Sequence, residues 1–167
     1  MRKSLVAFAA LAAAVWVLGI NASAQHSHGG AAPVMLGPGD IKWGPCPPAL
    51  PAGGQCAILE GNPAEAGPFV VRTRMPAGYR IPPHWHPSDE HVTVISGTVG
   101  MGTGEKVDKS MGHAMAAGSY MVMPKETRHW VWTDAPAEIQ VSGMGPFVMN
   151  YIDPKDDPRN GKPAGTK

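Results

Sequence analysis

The stretch Gly78-Tyr79-Arg80-Ile81-Pro82-Pro83-His84-Trp85-His86-Pro87-Ser88-Asp89-Glu90-His91-Val92-Thr93-Val94-Ile95-Ser96-Gly97 decides how this chain is read. In a strand, side chains two positions apart share a face, so His84 and His86 project together. Glu90 regains that face after the Pro87-Ser88-Asp89 turn, followed by Val92 and Val94. Two imidazoles and a carboxylate beside apolar neighbours pack badly by themselves, because a carboxylate buried unpaired is costly. A divalent ion removes that cost, and imidazole with carboxylate suits Fe, Mn, Ni, Cu or Zn. The competing reading is a solvated strand edge beside a proline turn. A single histidine would favour that reading; a His-Xaa-His pair with a spaced Glu favours the metal.

A second stretch adds weight. Gly118-Ser119-Tyr120-Met121-Val122-Met123-Pro124-Lys125-Glu126-Thr127-Arg128-His129 is a strand closed by proline, with a histidine five residues beyond. An inward His129 from a neighbouring strand would supply a fourth ligand. Around these segments the chain reads as strand, turn, strand from Cys56 onward. Phe69 to Met75, His91 to Val99, Tyr120 to Met123, Trp130 to Thr133, Glu138 to Ser142 and Phe147 to Ile152 have strand composition, with Gly or Pro between them. Strands at this spacing indicate an all-β sandwich or barrel. Val107 to Ala117 has room for a helical turn, and no amphipathic helix stands out elsewhere after the first segment of the chain.

These two stretches resemble the motifs of the cupin superfamily. Its first motif is Gly, five residues, His-Xaa-His, three or four residues, Glu, six residues, Gly; Gly78, His84, His86, Glu90 and Gly97 match at every spacing. In the second motif Gly118, Pro124 and His129 match, while Glu126 stands in place of a glycine and Thr133 in place of an asparagine. Both departures bear on the turn rather than on ligation. The segment from Pro87 to Thr98 also looks like a group of small single-domain bacterial cupins. The resemblance implies a double-stranded β-helix, or jelly-roll, barrel over residues 56–152. It implies His84, His86, Glu90 and His129 as ligands of one divalent transition metal per chain, with two open positions for an oxygen-bearing substrate and dioxygen, or for an enediol. It also implies a homodimer, the common state of cupins.

The N-terminus reads as an address. Met1-Arg2-Lys3 is followed by an apolar run from Leu5 to Ile20 and by Ala22-Ser23-Ala24, the order of a secretory signal peptide cleaved after Ala24. The run of 16 residues is short of the ~20 that span a bilayer. The expectation is export, to a bacterial periplasm or beyond, with no membrane association after cleavage. The full chain of 167 residues carries 14 Lys and Arg against 13 Asp and Glu. Removing residues 1–24 takes away Arg2 and Lys3 and no acid, which turns a net +1 into −1. A near-neutral chain lacks the clustered cations of a nucleic-acid binder. Its length suits one domain, and 21 Gly with 18 Pro speak for many turns rather than a helical bundle.

Residues 25–55 read as an extended arm, ordered where it docks, and 153–167 as a loose polar tail. In an oxidising compartment Cys46 and Cys56, flanking a Pro- and Gly-rich loop, are expected to form a bridge. In the chain-entropy account such a short loop gains roughly 2–3 kcal/mol from it. Tyr79, Arg80, Tyr120 and Arg128 lie near the motifs; Tyr79, Tyr120 and Arg128 are candidate substrate contacts. Strand alternation turns His91 away from Glu90. It also places Trp130 and Trp132 together on the face opposite His129, against the arm, a second subunit or between the sheets. Ten methionines and the Gln25-His26-Ser27-His28 terminus raise a copper reading, but Met121 and Met123 occupy positions where an apolar filler is expected.

The function expected from these residues is an exported metal-dependent cupin, an oxygenase-type oxidoreductase acting on a small oxygen-rich organic molecule. The metal, and not a protein nucleophile, would carry the chemistry. Two alternatives use the same four ligands: a non-catalytic protein that binds a metal or small ligand, and a metal-dependent isomerase.

Overall fold

The computed structural model describes residues 33–161. Residues 1–24, where a signal peptide is expected, the start of the arm with His26 and His28, and residues 162–167 lie outside them. In chain order the strands are β1 Gly44–Pro45, β2 Gln55–Glu60, β3 Gly67–Met75, β4 Arg80–Trp85, β5 Glu90–Ser96, β6 Thr98–Thr103, β7 His113–Ala116, β8 Tyr120–Met123, β9 His129–Trp132, β10 Ala137–Gly145 and β11 Asn150–Tyr151. Period-two burial explains the central ones. In β5 Glu90, Val92 and Val94 are buried while His91 and Thr93 are less so. In β10 Ala137, Ile139 and Val141 alternate with Glu138 and Gln140 in the same way.

The pairing is nested. β3 pairs with β10, β4 with β9, β5 with β8 and β6 with β7, all antiparallel. The chain runs out through β3–β6 and returns along itself through β7–β10, as one long ribbon. Successive strands of the ribbon fall alternately into two sheets, ordered β1-β2-β3-β10-β5-β8 and β11-β4-β9-β6-β7. That is a double-stranded β-helix, as the resemblance implied. The inward faces share one core that includes Phe69, Met75, Ile81, Val92, Val94 and Val99. Gly97 makes the tight β5–β6 turn at φ +73, where a Cβ would stand 2.5 Å from the Pro136 carbonyl oxygen.

Three segments differ from the sequence expectation. The helical turn in 107–117 is a 3-10 turn, Lys109–Met111, capped by the Asp108 carboxylate accepting from the Ser110 amide. After it comes β7, an edge strand mostly exposed on both faces and therefore without a legible alternation. Of the strand expected over 147–152, only Asn150 and Tyr151 pair, with Trp85 and His84 of β4. The described part of the tail is held: Arg159 pairs with Asp157 and donates to the Met149 carbonyl at 2.8 Å.

Trp130 and Trp132 stack at 5.2 Å between ring centroids on the outer face of the smaller sheet. Among the described residues, neither the arm nor the inter-sheet core receives them. Gly100 and Gly102 of β6 leave the space their rings occupy, Gly112 closes over both, and the Lys109 ammonium lies 5.3 Å above the Trp132 ring. The pair is thus buried by its own chain and offers no surface to a second subunit. Gly100→Ala would drive a methyl into the Trp132 ring, an overpacking expected to cost about 1–3 kcal/mol. A thermal melt should show a lower Tm; an unchanged Tm would mean that the ring simply slides aside.

Candidate metal centre

The ribbon brings the two motif histidines face to face. β4 and β9 are far apart in sequence but neighbours in the smaller sheet, and His84 is the direct Cα partner of His129. Pro82 and Pro83 carry no N–H, so the β4–β9 register shifts between Ile81 and His84. His86 follows the end of β4 and Glu90 opens β5 in the opposite sheet, so the crossover between sheets carries the remaining groups.

All three imidazoles are oriented by backbone carbonyls. Nδ1 of His84 is 2.8 Å from Pro82 O, Nδ1 of His86 is 2.9 Å from Val148 O, and Nδ1 of His129 is 2.9 Å from Thr127 O. A carbonyl only accepts, so each Nδ1 must carry the proton. In the neutral ring Nε2 then presents a lone pair. These atoms converge: one ligand atom from each of His84, His86 and His129 lies within 4.8 Å of the others. Glu90 Oε2 is 3.2 Å from His129 Nε2 and 3.9 Å from His86 Nε2. The ring of His86 is further fixed by Phe147, stacked at 4.0 Å and 16°.

The electrostatics of this cluster are strained without an ion. His84, His86 and His129 are 1–2% exposed and Glu90 8%. His86 Nε2, His129 Nε2 and Glu90 Oε2 are buried and find no aligned hydrogen-bond partner. Burial, together with the neighbouring imidazoles, pushes His84 down to about 3 and lowers His86. Burial alone would raise Glu90 and lower His129; their mutual attraction reverses both, holding Glu90 down and His129 up. Orphaned lone pairs of this kind are rare in native interiors. Three neutral nitrogens around one carboxylate are the donor set a divalent transition ion takes, so the three histidines can hold a metal.

The two motif departures leave this geometry standing. Glu126 occupies the glycine position at φ +63, the left-handed conformation a glycine would adopt, and its amide donates to the His86 carbonyl at 2.8 Å. Thr133 donates from Oγ1 to Pro76 O at 2.8 Å and exchanges backbone bonds with Gly78 and Tyr79, tying the end of β9 to the first motif's turn.

The cluster opens into a cavity of about 810 Å³. His84, His86 and Glu90 line it together with apolar barrel groups such as Phe69, Ile139, Val141 and Met101. None of the three candidate substrate contacts lines it. Tyr79 is a core residue whose hydroxyl donates to Pro51 O, its pKa raised to about 12 by burial. Tyr120 alternates outward in β8, 58% exposed, and its hydroxyl meets His91 Nδ1 at 2.6 Å. Arg128 immediately precedes His129 and so faces the other way, donating to Glu126 O and approaching Glu105. Arg80 is likewise external, paired with Asp134. The wall is completed by residues the sequence did not single out: Phe147 and Met149 behind β10, and residues 42–50 of the arm. Phe147 and Met149 alternate across Val148, a short apolar signal; the arm has no periodicity to find. Cys46 and Cys56 are bridged, at a Cα–Cα distance of 4.7 Å.

A family model described as the ChrR cupin-like domain matches residues 31–148. No curated protein matches. Among solved structures the chain is similar to the polyketide cyclase RemF from Streptomyces resistomycificus, with TM-score 0.62, 15% identity, and coverage of 74% of this chain and 88% of that one. It is similar to an acetylacetone dioxygenase from Acinetobacter johnsonii, with TM-score 0.59, 20% identity, and coverage of 78% and 83%. It is also similar to the DMSP lyase DddQ from Ruegeria pomeroyi DSS-3, with TM-score 0.55, 20% identity, and coverage of 69% and 62%. At such identities the likeness is one of fold.

Protein purified from its own compartment is expected to hold about one transition metal per chain, lost on replacing His86 or Glu90 by Ala. Elemental analysis reads this directly, and stoichiometric metal in the His86→Ala, Glu90→Ala double variant would rule the centre out. Glu126→Gly should leave the metal content unchanged and gain roughly 0.5–1 kcal/mol, since glycine carries no left-handed penalty; a lowered Tm would contradict the strain assigned to that turn.

Proposed function

We propose that this chain, which belongs to the ChrR cupin-like domain family, is an exported metal-dependent enzyme of the oxygenase type. Its substrate is a small organic molecule with an oxygen-bearing head, such as a phenol, enol or diketone, and an apolar body. His84, His86 and His129 supply neutral nitrogen ligands and Glu90 an anionic one. When bound, a divalent metal supplies Lewis acidity toward substrate oxygens and, if redox-active, access to dioxygen.

The observation that carries the reading is that His86 and Glu90, whose Nε2 and Oε2 atoms are orphaned, lie with His84 at one wall of a large apolar cavity. A centre built only to store an ion has no need of about 810 Å³ beside it, whereas a substrate site is concave, mostly apolar and furnished with a few convergent polar groups. Phe69, Ile139, Val141 and Met149 exclude water from the ligand face, which strengthens every charge interaction there. Phe147 and the Val148 carbonyl hold the His86 ring from opposite requirements, one by stacking and one by accepting its proton. Glu90 is the only carboxylate lining the cavity among the described residues. As a ligand it keeps its proton off and neutralises part of the positive charge. Export rests on the pattern of residues 1–24 and accords with the bridged cysteines.

Oxygen uptake with a panel of phenols, enols and β-diketones tests the proposal. The metal-loaded protein should consume oxygen with at least one class, and His84→Ala should reduce the rate about 100-fold or more. Metal-dependent turnover without oxygen consumption would make it an isomerase or related enzyme. Stoichiometric metal with no turnover across the panel would leave a binding protein and overturn the enzyme reading.

A further inference from the structure

Most of the cavity wall is barrel, strand against strand; the loop residues 62–64, the pair Phe147 and Met149, and the arm residues 42–50 complete it. The arm has little structure of its own. β1 pairs with β2 over two residues only, and Leu50 returns one backbone bond to Pro47. Pro45, Pro47, Pro48 and Pro51 have no N–H, so the arm's place at the sheet edge is limited to the two residues of β1. Besides that pairing and the Arg74 guanidinium, 3.8 Å from the Trp43 ring centroid, three attachments hold it. The Cys46–Cys56 bridge joins it to β2, with both residues on the cavity wall. Two tyrosine hydroxyls reach up from the barrel, Tyr79 to Pro51 O and Tyr151 to Ala49 O at 2.8 Å. A segment with so few backbone bonds opens locally at much lower free energy than the strands beneath it. The one covalent attachment is therefore the one that decides whether the wall stays closed.

We infer that the Cys46–Cys56 bridge is a redox latch on the cavity. Bridged, it keeps the arm as a wall; reduced, it lets the arm move out, so that apolar ligands exchange faster. The metal ligands keep their supports, because none of the three carbonyls that orient them belongs to the arm. Both cysteines are partly buried rather than enclosed, and both line the cavity, from which a small reductant approaches the bridge. A dithiol reductant delivers two electrons and two protons: the sulfur–sulfur bond breaks, two thiols form, and the reductant leaves as a disulfide. The inference rests on the proposed function only in taking this cavity as the ligand site.

The test uses the exported, metal-loaded protein and 1-N-phenylnaphthylamine, a neutral aromatic probe that brightens in apolar surroundings. Its release rate is measured by stopped flow for the oxidised protein, for protein treated with a water-soluble phosphine, and for the Cys46→Ser, Cys56→Ser variant. The phosphine takes an oxygen from water and becomes a phosphine oxide as the two thiols form. Release should be about tenfold faster in the reduced protein and in the double variant, at unchanged metal content, and reoxidation of the wild type should restore the slow rate. Tyr151→Phe keeps the bridge and removes one arm bond, and should speed release by only about twofold. Reversible reduction of the wild-type chain reads the same latch should the double variant not fold. Equal release rates for oxidised and reduced protein would overturn the inference, as would the absence of saturable probe binding to the oxidised form. Metal content and oxygen uptake report separately on the proposed function, and neither enters the release rate.

Discussion

A neutral imidazole has one N–H and one lone pair, and a backbone carbonyl can accept but never donate. When three buried histidines each give Nδ1–H to a carbonyl, all three lone pairs are forced onto Nε2, and here those atoms point at one another and at a carboxylate. Pro82, Thr127 and Val148 contribute these carbonyls from three separate segments, two of them only two residues before the histidine they orient. The geometry of those two is thus set locally, within β4 at Pro82 and in the turn into β9 at Thr127, and only Val148 has to be delivered by the return of the chain after β10. The lone pairs oppose each other, and the attraction between Glu90 and His129 shifts both toward sharing a proton. A cation would satisfy the three imidazole nitrogens together.

The nested pairing explains how a chain of this size assembles such a centre. A ribbon folded back on itself makes β4 meet β9 and β5 meet β8, so both sequence motifs arrive at the same end of the barrel, on facing sheets. The histidines come from the smaller sheet and the crossover, Glu90 from the larger. The remaining inward positions of these strands are apolar because nothing else on that face has a polar partner. The cavity and the centre are in this sense one feature: the same alternation that aims Glu90 inward aims Val92 inward next to it, and Ile139 and Val141 on β10 repeat the pattern opposite.

This is also why part of the site was legible in the sequence and part was not. Spacing within a strand reports facing, so His84 with His86, the outward turn of His91, and the separation of Trp130 and Trp132 from His129 could all be read from alternation. The strands of the ribbon showed as β-branched runs between Gly and Pro. Substrate contacts could not be read in this way. Arg128 is next to a ligand and faces the other way, while Tyr120 stands a strand and a turn before His129, and its facing is fixed only by the long-range β5–β8 register. Tyr79 is inward, but its hydroxyl is spent on the arm. The edge strand β7 buries almost nothing and so leaves no period in its sequence. The left-handed backbone at Glu126 persists without its glycine because the turn is held from outside, by the bond from its amide to His86 O.

The arm shows the same limit from the other side. A proline-rich segment with no hydrophobic period reads as a linker, because a linker and a docked wall differ only in what receives their carbonyls. Here Ala49 O and Pro51 O are received by tyrosines 102 and 28 residues away in the chain, and the Arg74 guanidinium lies 3.8 Å from the Trp43 ring centroid. Each of these attachments is weak, and together they order a segment that has almost no ladder of its own. The bridge differs in kind. It persists in an oxidising compartment and is removed in a reducing one, so the compartment implied by the first 24 residues is the one in which the cavity keeps its complete wall. The cavity beside the histidine cluster is thus completed by a segment from outside the barrel, and the bridge is the one attachment of that segment whose survival depends on the redox state of its surroundings.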